Sequence, residues 1–236
     1  FVDSDLVIAA MGGPVSLQGV ADRAPVRVTV PQVWRHTGVE AAAGALAAHH
    51  RRLKTGAAQY VDLSAQNVLT WTMLNAMGAY GIQGEDFQRC GLTFPWGGFD
   101  MVYPCSDGWL VALPNSSVLM GCLPLMIEEG IADKSWLELD WEAYDETMRD
   151  QSAYHITVFD GSSILSAFFV KRTKKELFEF GLAQGISLAP ANTLEELLAL
   201  GHMKARNYWH EDNFSGQIVN APGLWAKPSI GSLAIR

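Results

Sequence analysis

Six histidines, three cysteines and a sparse set of carboxylates are the side chains through which this 236-residue chain could act on a substrate. His36 stands at the start of a helical pattern, where an imidazole could contact a ligand or serve as a cap or plain surface residue. His49 and His50 are adjacent, but they belong to the basic run that ends at Lys54, and no third ligand stands at zinc spacing. No metal is expected. Cys90, Cys105 and Cys122 show neither CxxC spacing nor an even count, which argues against a disulfide framework and fits a reducing cytoplasm. Lys171 to Lys175 reads as the solvated entrance of a helix rather than a phosphate site. His210, Glu211 and Asp212 share a polar turn without recognisable geometry. No GxGxxG or Walker-type loop is present, so nothing independently cradles phosphates.

The elements that would position these groups come from a chain that is 49% apolar and 18% charged, enough to bury a core in one or two domains. A net charge of −8 excludes general attraction to nucleic acid or an anionic membrane surface. There is no charged-then-apolar leader pattern and no apolar run long enough to span a bilayer.

Asp5 to Met11 is an apolar run too short to assign by period, closed by Gly12-Gly13-Pro14. Residues 18 to 32 read as a loop with a short extended piece, Val26 to Val30. A helix over Val33 to Lys54 is dense in Ala and Gly, which suits close packing against a neighbour, and Gly56 suits its C-terminal cap. A strand is expected at Gln59 to Leu63, and a second helix at about Ala65 to Tyr80. Five glycines and a proline make residues 81 to 98 a long loop. Ser106-Asp107-Gly108 predicts a hairpin over Met101 to Leu113. A mostly helical stretch follows to Gly185, with capping boxes at Thr173/Glu176 and Thr193/Glu196. Ile186 to Pro190 suggests a short strand, and the tail from Phe214 looks extended and loop-rich.

Arg52-x-x-Thr55-Gly56-x-x-Gln59-x-Val61-Asp62-x-Ser64 resembles the most recognisable run of the family III CoA-transferases. The later motifs of that family follow in order. Tyr103, Cys105, Asp107 and Gly108 match a hairpin. Gly185, Ile186, Ala189, Pro190, Asn192, Thr193, Glu195 and Glu196 match a second run, and His202 to Arg206 the stretch after it. The resemblance covers about residues 5 to 230. It implies transfer of CoA between an acyl-CoA and a carboxylic acid, with the CoA thioester as substrate and no permanently bound cofactor. It also implies that the chain, which opens on Phe1, starts after the segment that holds most of the CoA nucleotide site in relatives.

In those transferases an aspartate near the start of the small-residue helix attacks the thioester, giving a mixed anhydride and then an aspartyl-CoA thioester. Counting back from Arg52 through Gly44 and Gly38, that position is Trp34, whose indole cannot form an anhydride. The histidine that racemases of the superfamily place upstream falls on Ser4, which disfavours an acyl-CoA racemase or isomerase. Three readings follow. The carboxylate could lie elsewhere, at Glu40, Asp62 or Asp5. The chain could be a catalytically inactive CoA-binding or scaffolding relative. Or it is the non-catalytic subunit of a heteromer whose partner keeps the aspartate, which the Pro31-Gln32-x-Trp34-x-His36-x-Gly38 opening favours by its likeness to the aspartate-less subunits of heteromeric members such as benzylsuccinate CoA-transferase.

The resemblance assigns substrate or CoA contact to Trp34, Arg35 and His36, and to Trp96, Gly97 and Gly98, which fall where transferases carry a glycine-rich loop over the thioester. Asp62 reads as structural, satisfying backbone donors, and Cys105 as a buried apolar residue. The expected fold is α/β: residues 1–98 the second part of a Rossmann-like large domain, 99–185 a smaller α+β domain, and 186–236 a return segment. An interlocked homo- or heterodimer is the expected assembly.

Overall fold

The computed structural model describes residues 4–95 and 97–231. It is mixed helix and strand, in two compact units, Phe1–Val102 with Leu113–Phe168 and Tyr103–Ala112 with Phe169–Arg236.

The first unit opens with α1 (Asp5–Met11), capped by Ser4, whose hydroxyl accepts from the Val7 N–H. That cap accounts for a serine at position 4. A 3-10 turn at Pro14–Leu17 leads through a loop to α2 (Val33–Thr55), which Gly56 ends in the left-handed conformation (φ 72°), as expected. Residues 57–64 then run without ladder partners, and the strand expected at Gln59–Leu63 does not form. No described strand lies beside it, and Tyr60 is almost wholly exposed. Val26 to Val30 likewise joins no ladder.

The second helix is two: α3 (Ala65–Trp71), capped by Ser64, and α4 (Leu74–Gln83). The break has a local cause. Thr72 Oγ1 donates to the Leu69 carbonyl at 2.6 Å and Met73 N to Thr70, tightening the turn so that the α-helix stops.

After the hairpin the unit resumes with α5 (Ser116–Glu128) and α6 (Trp141–Glu146) and closes on α7 (Val158–Phe169). Its main core is Leu119, Cys122, Leu123 and Met126 of α5 with Tyr144, Leu165 and Phe168. Gly161 lies so close to Tyr144 and Leu119 that a Cβ there would overlap the phenol oxygen.

The second unit contains the expected hairpin, β1 (Val102–Cys105) and β2 (Gly108–Val111), continued by an antiparallel β3 (Ala189–Pro190), with Leu110 opposite Pro190. Between them α8 (Lys174–Gln184) packs on β2 and β3. Both expected capping boxes are present, at Thr173 of α8 and at Thr193 of α9 (Leu194–Ala199). A short α10 (Gly201–Ala205) leads to a second hairpin, β4 (Trp209–Phe214) and β5 (Gln217–Pro222). Its two-residue turn, Ser215-Gly216, has positive φ at both positions (52° and 86°), the geometry that matches strand twist. The tail therefore holds a paired hairpin where only extended chain was expected.

Candidate functional site

Trp34, Arg35 and His36 occupy the first turn of α2, all three exposed, Trp34 by 49%. Helix α2 has no cap of its own, since Gln32 makes no side-chain bond there. A carboxylate from another helix takes that role: Asp5 Oδ1 accepts the Val33 N–H at 2.8 Å. The helix start therefore carries a built-in anion where its backbone N–H groups and dipole favour one. A hollow of about 70 Å³ adjoins it, lined among others by Asp5, Gln18, Arg27 and Gln32. The loop forming one wall is held by Arg89, whose guanidinium donates to the carbonyls of Ser16, Val20, Ala21 and Arg23.

The other two carboxylate candidates are not brought to Trp34. Glu40 is exposed, six residues on, so it lies about 9 Å along the helix and about 120° round its axis. Asp62 is exposed and makes no hydrogen bond to a described residue, so it does not satisfy backbone donors as expected. Its neighbour Val61 lies against Gly44, where a Cβ would sit 3.1 Å from Val61 Cγ1, about 15 Å along the helix from Trp34.

Trp96 lies outside the described residues. Gly97 is held: a Cβ would meet the Phe99 ring at 2.5 Å, and the Gly97 carbonyl accepts from Gln151 Nε2 at 3.3 Å. Gly98 has φ 69° and open space around it, a position that favours glycine for its backbone. The Phe94 and Phe99 rings flanking this turn stack at 5.2 Å.

The second unit has its own polar cluster. Lys174 is only 5% exposed, contrary to the solvated entrance expected for that basic run. Its Nζ reaches the Glu196 carboxylate at 2.6 Å and the Ala191 carbonyl at 3.3 Å, while its N–H donates to Asp107 Oδ1 at 2.8 Å. Glu196 is held below the usual carboxylate range, first by the Lys174 ammonium and then by the Thr193 N–H. Cys105 is buried as expected, and burial pushes its thiol pKa up, away from reactivity. The hollow beside this cluster, about 390 Å³, has the walls Phe178, Pro190 and Leu200 and charges paired within the protein. No group of three His, Cys, Asp or Glu among the described residues is disposed to hold a metal ion. No described helix is long and apolar enough to cross a membrane.

Two features escaped the sequence reading. The Asp5 cap joins residues 28 apart, which no local pattern signals. The inward turn of Lys174 was hidden in a run of four basic residues, although its partner Glu196 already stood in a capping box.

A model of CoA-transferase family III matches residues 2–230. The chain is 26% identical over 230 residues to succinyl-CoA:(R)-benzylsuccinate CoA-transferase subunit BbsE of Thauera aromatica, covering 93% of this chain and 53% of that one. It is 25% identical over 207 residues to the succinate–glutarate CoA-transferase of Agrobacterium fabrum, covering 87% and 49%. Among solved structures, a CAIB/BAIF family protein from Brucella suis superposes with a TM-score of 0.69 at 20% identity, over 95% of this chain and 56% of that one. The chain thus spans about half the length of the curated relatives it matches. It belongs to CoA-transferase family III.

Proposed function

We propose that this chain is the non-nucleophilic subunit of a heteromeric CoA-transferase that moves CoA between an acyl-CoA and a carboxylic acid. The carboxylate that attacks the thioester is carried by a partner subunit. There the donor acyl group passes to the aspartate as a mixed anhydride, releasing CoA thiolate. The thiolate then takes the aspartyl carbonyl as a thioester and frees the donor acid. In this chain the equivalent position is Trp34; neither Glu40 nor Asp62 stands near it, and Asp5, which does, is engaged as the cap of α2 through the Val33 N–H. Trp34, Arg35, His36, Trp96, Gly97 and Gly98 serve substrate or CoA contact rather than as the nucleophile.

The observation that carries this reading is the residue at the nucleophile position, Trp34, which stands half-exposed in the first turn of α2 with an indole in place of a carboxylate; the exposed surface agrees with it. A compact folded chain of this size exposes about 10,500 Å², and two separately folded units of these sizes about 12,500 Å². This chain exposes 16013 Å². The surplus, about 3,500 Å² or more, is surface suited to cover by further polypeptide, and the chain spans only about half the length of its relatives. Much of it is apolar and lies on α2, where Val39, Leu46 and Leu53 recur every seven residues at 68–70% exposure while only Val33 is buried. The Ala and Gly of that helix suit close packing by further polypeptide, in keeping with an interlocked dimer. The name of the Thauera relative, a subunit, agrees with this. The expected division into a Rossmann-like part (1–98), a smaller domain (99–185) and a return segment (186–236) belongs to the same reading. So does a cytoplasmic setting, with Cys90, Cys105 and Cys122 all free.

The test is co-expression of the natural full-length gene with candidate partner chains that keep the aspartate, followed by native mass measurement and a transfer assay with succinyl-CoA. A stable heteromer active only as the mixture is the expected result. A self-dimer that transfers CoA alone would overturn it. A complex that binds CoA but exchanges nothing would favour the scaffolding alternative, and solvent-deuterium exchange at the α-carbon of an acyl-CoA would favour the racemase one.

A further inference from the structure

We infer that Asp5 is a positioning residue for the first turn of α2, where Trp34, Arg35 and His36 sit. A 23-residue helix without its own N-cap leaves its first N–H groups unpartnered and its start free to fray. Here the Val33 N–H is taken by Asp5, 28 residues upstream. Asp5 is itself fixed, because α1 is fastened at its far end to α3. Gln66 Nε2 donates to the Met11 carbonyl at 2.9 Å and Thr70 Oγ1 to the Gly12 carbonyl at 3.2 Å. Gly12 lies so close to α3 that a Cβ would meet Leu69 Cβ at 2.9 Å.

The three helices therefore form a bracket. Helix α3 holds the end of α1, and the start of α1 holds the start of α2 through one carboxylate. Val33, the residue whose N–H is held, is wholly buried, while Trp34 next to it is half-exposed, so this bond separates anchored from presented side chains. Asp5 also places a carboxylate at the positive end of α2, which disfavours a second anion in the same place. The value of this turn to CoA transfer rests on the reading above. The bracket itself is tested without any activity.

The test is hydrogen–deuterium exchange on the full chain, alone or in its complex, comparing the segment 34–38 with the α5 core at 119–126. In D5A the first segment exchanges about fivefold faster, the ratio expected for loss of an N-cap, while the α5 core is unchanged. D5N keeps an acceptor oxygen in the same place and regains most of the protection. T70V with Q66A removes the two bonds that fasten α1 to α3 and raises exchange at 34–38 in the same direction with Asp5 intact. It also keeps the test open if D5A does not fold. Unchanged exchange at 34–38 in both D5A and the T70V/Q66A variant overturns the inference. So does an equal rise throughout the α5 core, which would make Asp5 a general stabiliser, or a D5N chain that behaves as D5A.

Discussion

Lys174, the first residue of α8, places its ammonium 2.6 Å from the carboxylate of Glu196, and that carboxylate also accepts the Thr193 N–H that begins α9. One side chain thus closes a capping box and neutralises a buried cation. The two partners differ in exposure, 6% for the Lys174 side chain and 39% for Glu196, so their loss is not symmetrical. Removing Glu196 strands a buried ammonium; removing the lysine leaves a carboxylate that water can reach. In thermal unfolding E196Q is expected to lower Tm clearly, and K174M to lower it little or not at all. Equal losses would show that the pair, rather than the stranded charge, sets the cost.

Acid should act on the same link. Glu196 titrates below the ordinary value near 4.5 because its charged form is favoured by Lys174 and Thr193, and Glu176 does so because of the Thr173 N–H and hydroxyl. Carboxylates whose folded pKa is depressed lend stability above their unfolded pKa and lose it as pH falls through the folded one. Urea midpoints are therefore expected to be level from pH 7 to about 5 and to fall below about 4.5, with a shallower fall in E196Q. A midpoint that rises on acidification would contradict the assignment.

Much of this second unit was legible because its signals are local. A capping box spans four residues, and Asp107-Gly108 is a turn on sight; both Thr173/Glu176 and Thr193/Glu196 formed as read. What failed was non-local or depended on competition. Gln59 to Leu63 carries the strand-favouring Tyr60 and Val61 but has no partner beside it among the described residues. Thr72 stops a helix whose apolar period runs on, because its hydroxyl takes a carbonyl from the turn before. Pro124 sits inside α5, where a proline argues for a break, yet the helix persists with Cys122, Leu123 and Met126 all buried. Burial there outweighs one lost backbone bond. At the candidate site the sequence displayed Trp34 but not Asp5's bond to its neighbour, since no spacing rule links residues 28 apart.

Gly161 is the position in the first unit least able to accept a side chain. A Cβ would overlap the Tyr144 Oη, which donates to the Pro114 carbonyl at 2.8 Å, and would press on Leu119. G161A is expected to cost about 1–3 kcal/mol, the range for overpacking a filled core. Y144F alone should cost about 1 kcal/mol for the lost hydrogen bond. Because the phenol oxygen is the atom in the way, the double variant should cost less than the sum of the singles. Additive losses in denaturant titrations would mean that the backbone of α7, not the phenol, yields first.

The stripe on α2 separates folding from assembly. Leu46 is 70% exposed, so L46K should leave the stability of the chain by itself within about 0.5 kcal/mol. If α2 is covered in the assembled transferase, the same change buries a lysine at an interface and should abolish or sharply weaken the complex on native mass measurement. A complex that forms undiminished with L46K and with L53K would place the interface elsewhere.

The strongest chemical prediction concerns Trp34 itself. If the residue count that aligns it with the family nucleophile is correct, W34D restores a carboxylate to the first turn of α2, beside a helix start already supplied with an anion by Asp5. Two carboxylates at one helix end repel, so W34D by itself is expected to form adduct slowly, and W34D with D5N faster, because the asparagine keeps the Val33 bond without the charge. The readout is a CoA adduct on this chain, detected as a mass increase that hydroxylamine removes, after incubation of the assembled complex with succinyl-CoA. The partner's own aspartate is replaced by alanine so that only the new site can react. An adduct on residue 34 in the double variant supports the alignment, the reaction assigned to the partner and the reading of Asp5 together. Its absence from a folded, CoA-binding complex would mean that position 34 does not face the thioester.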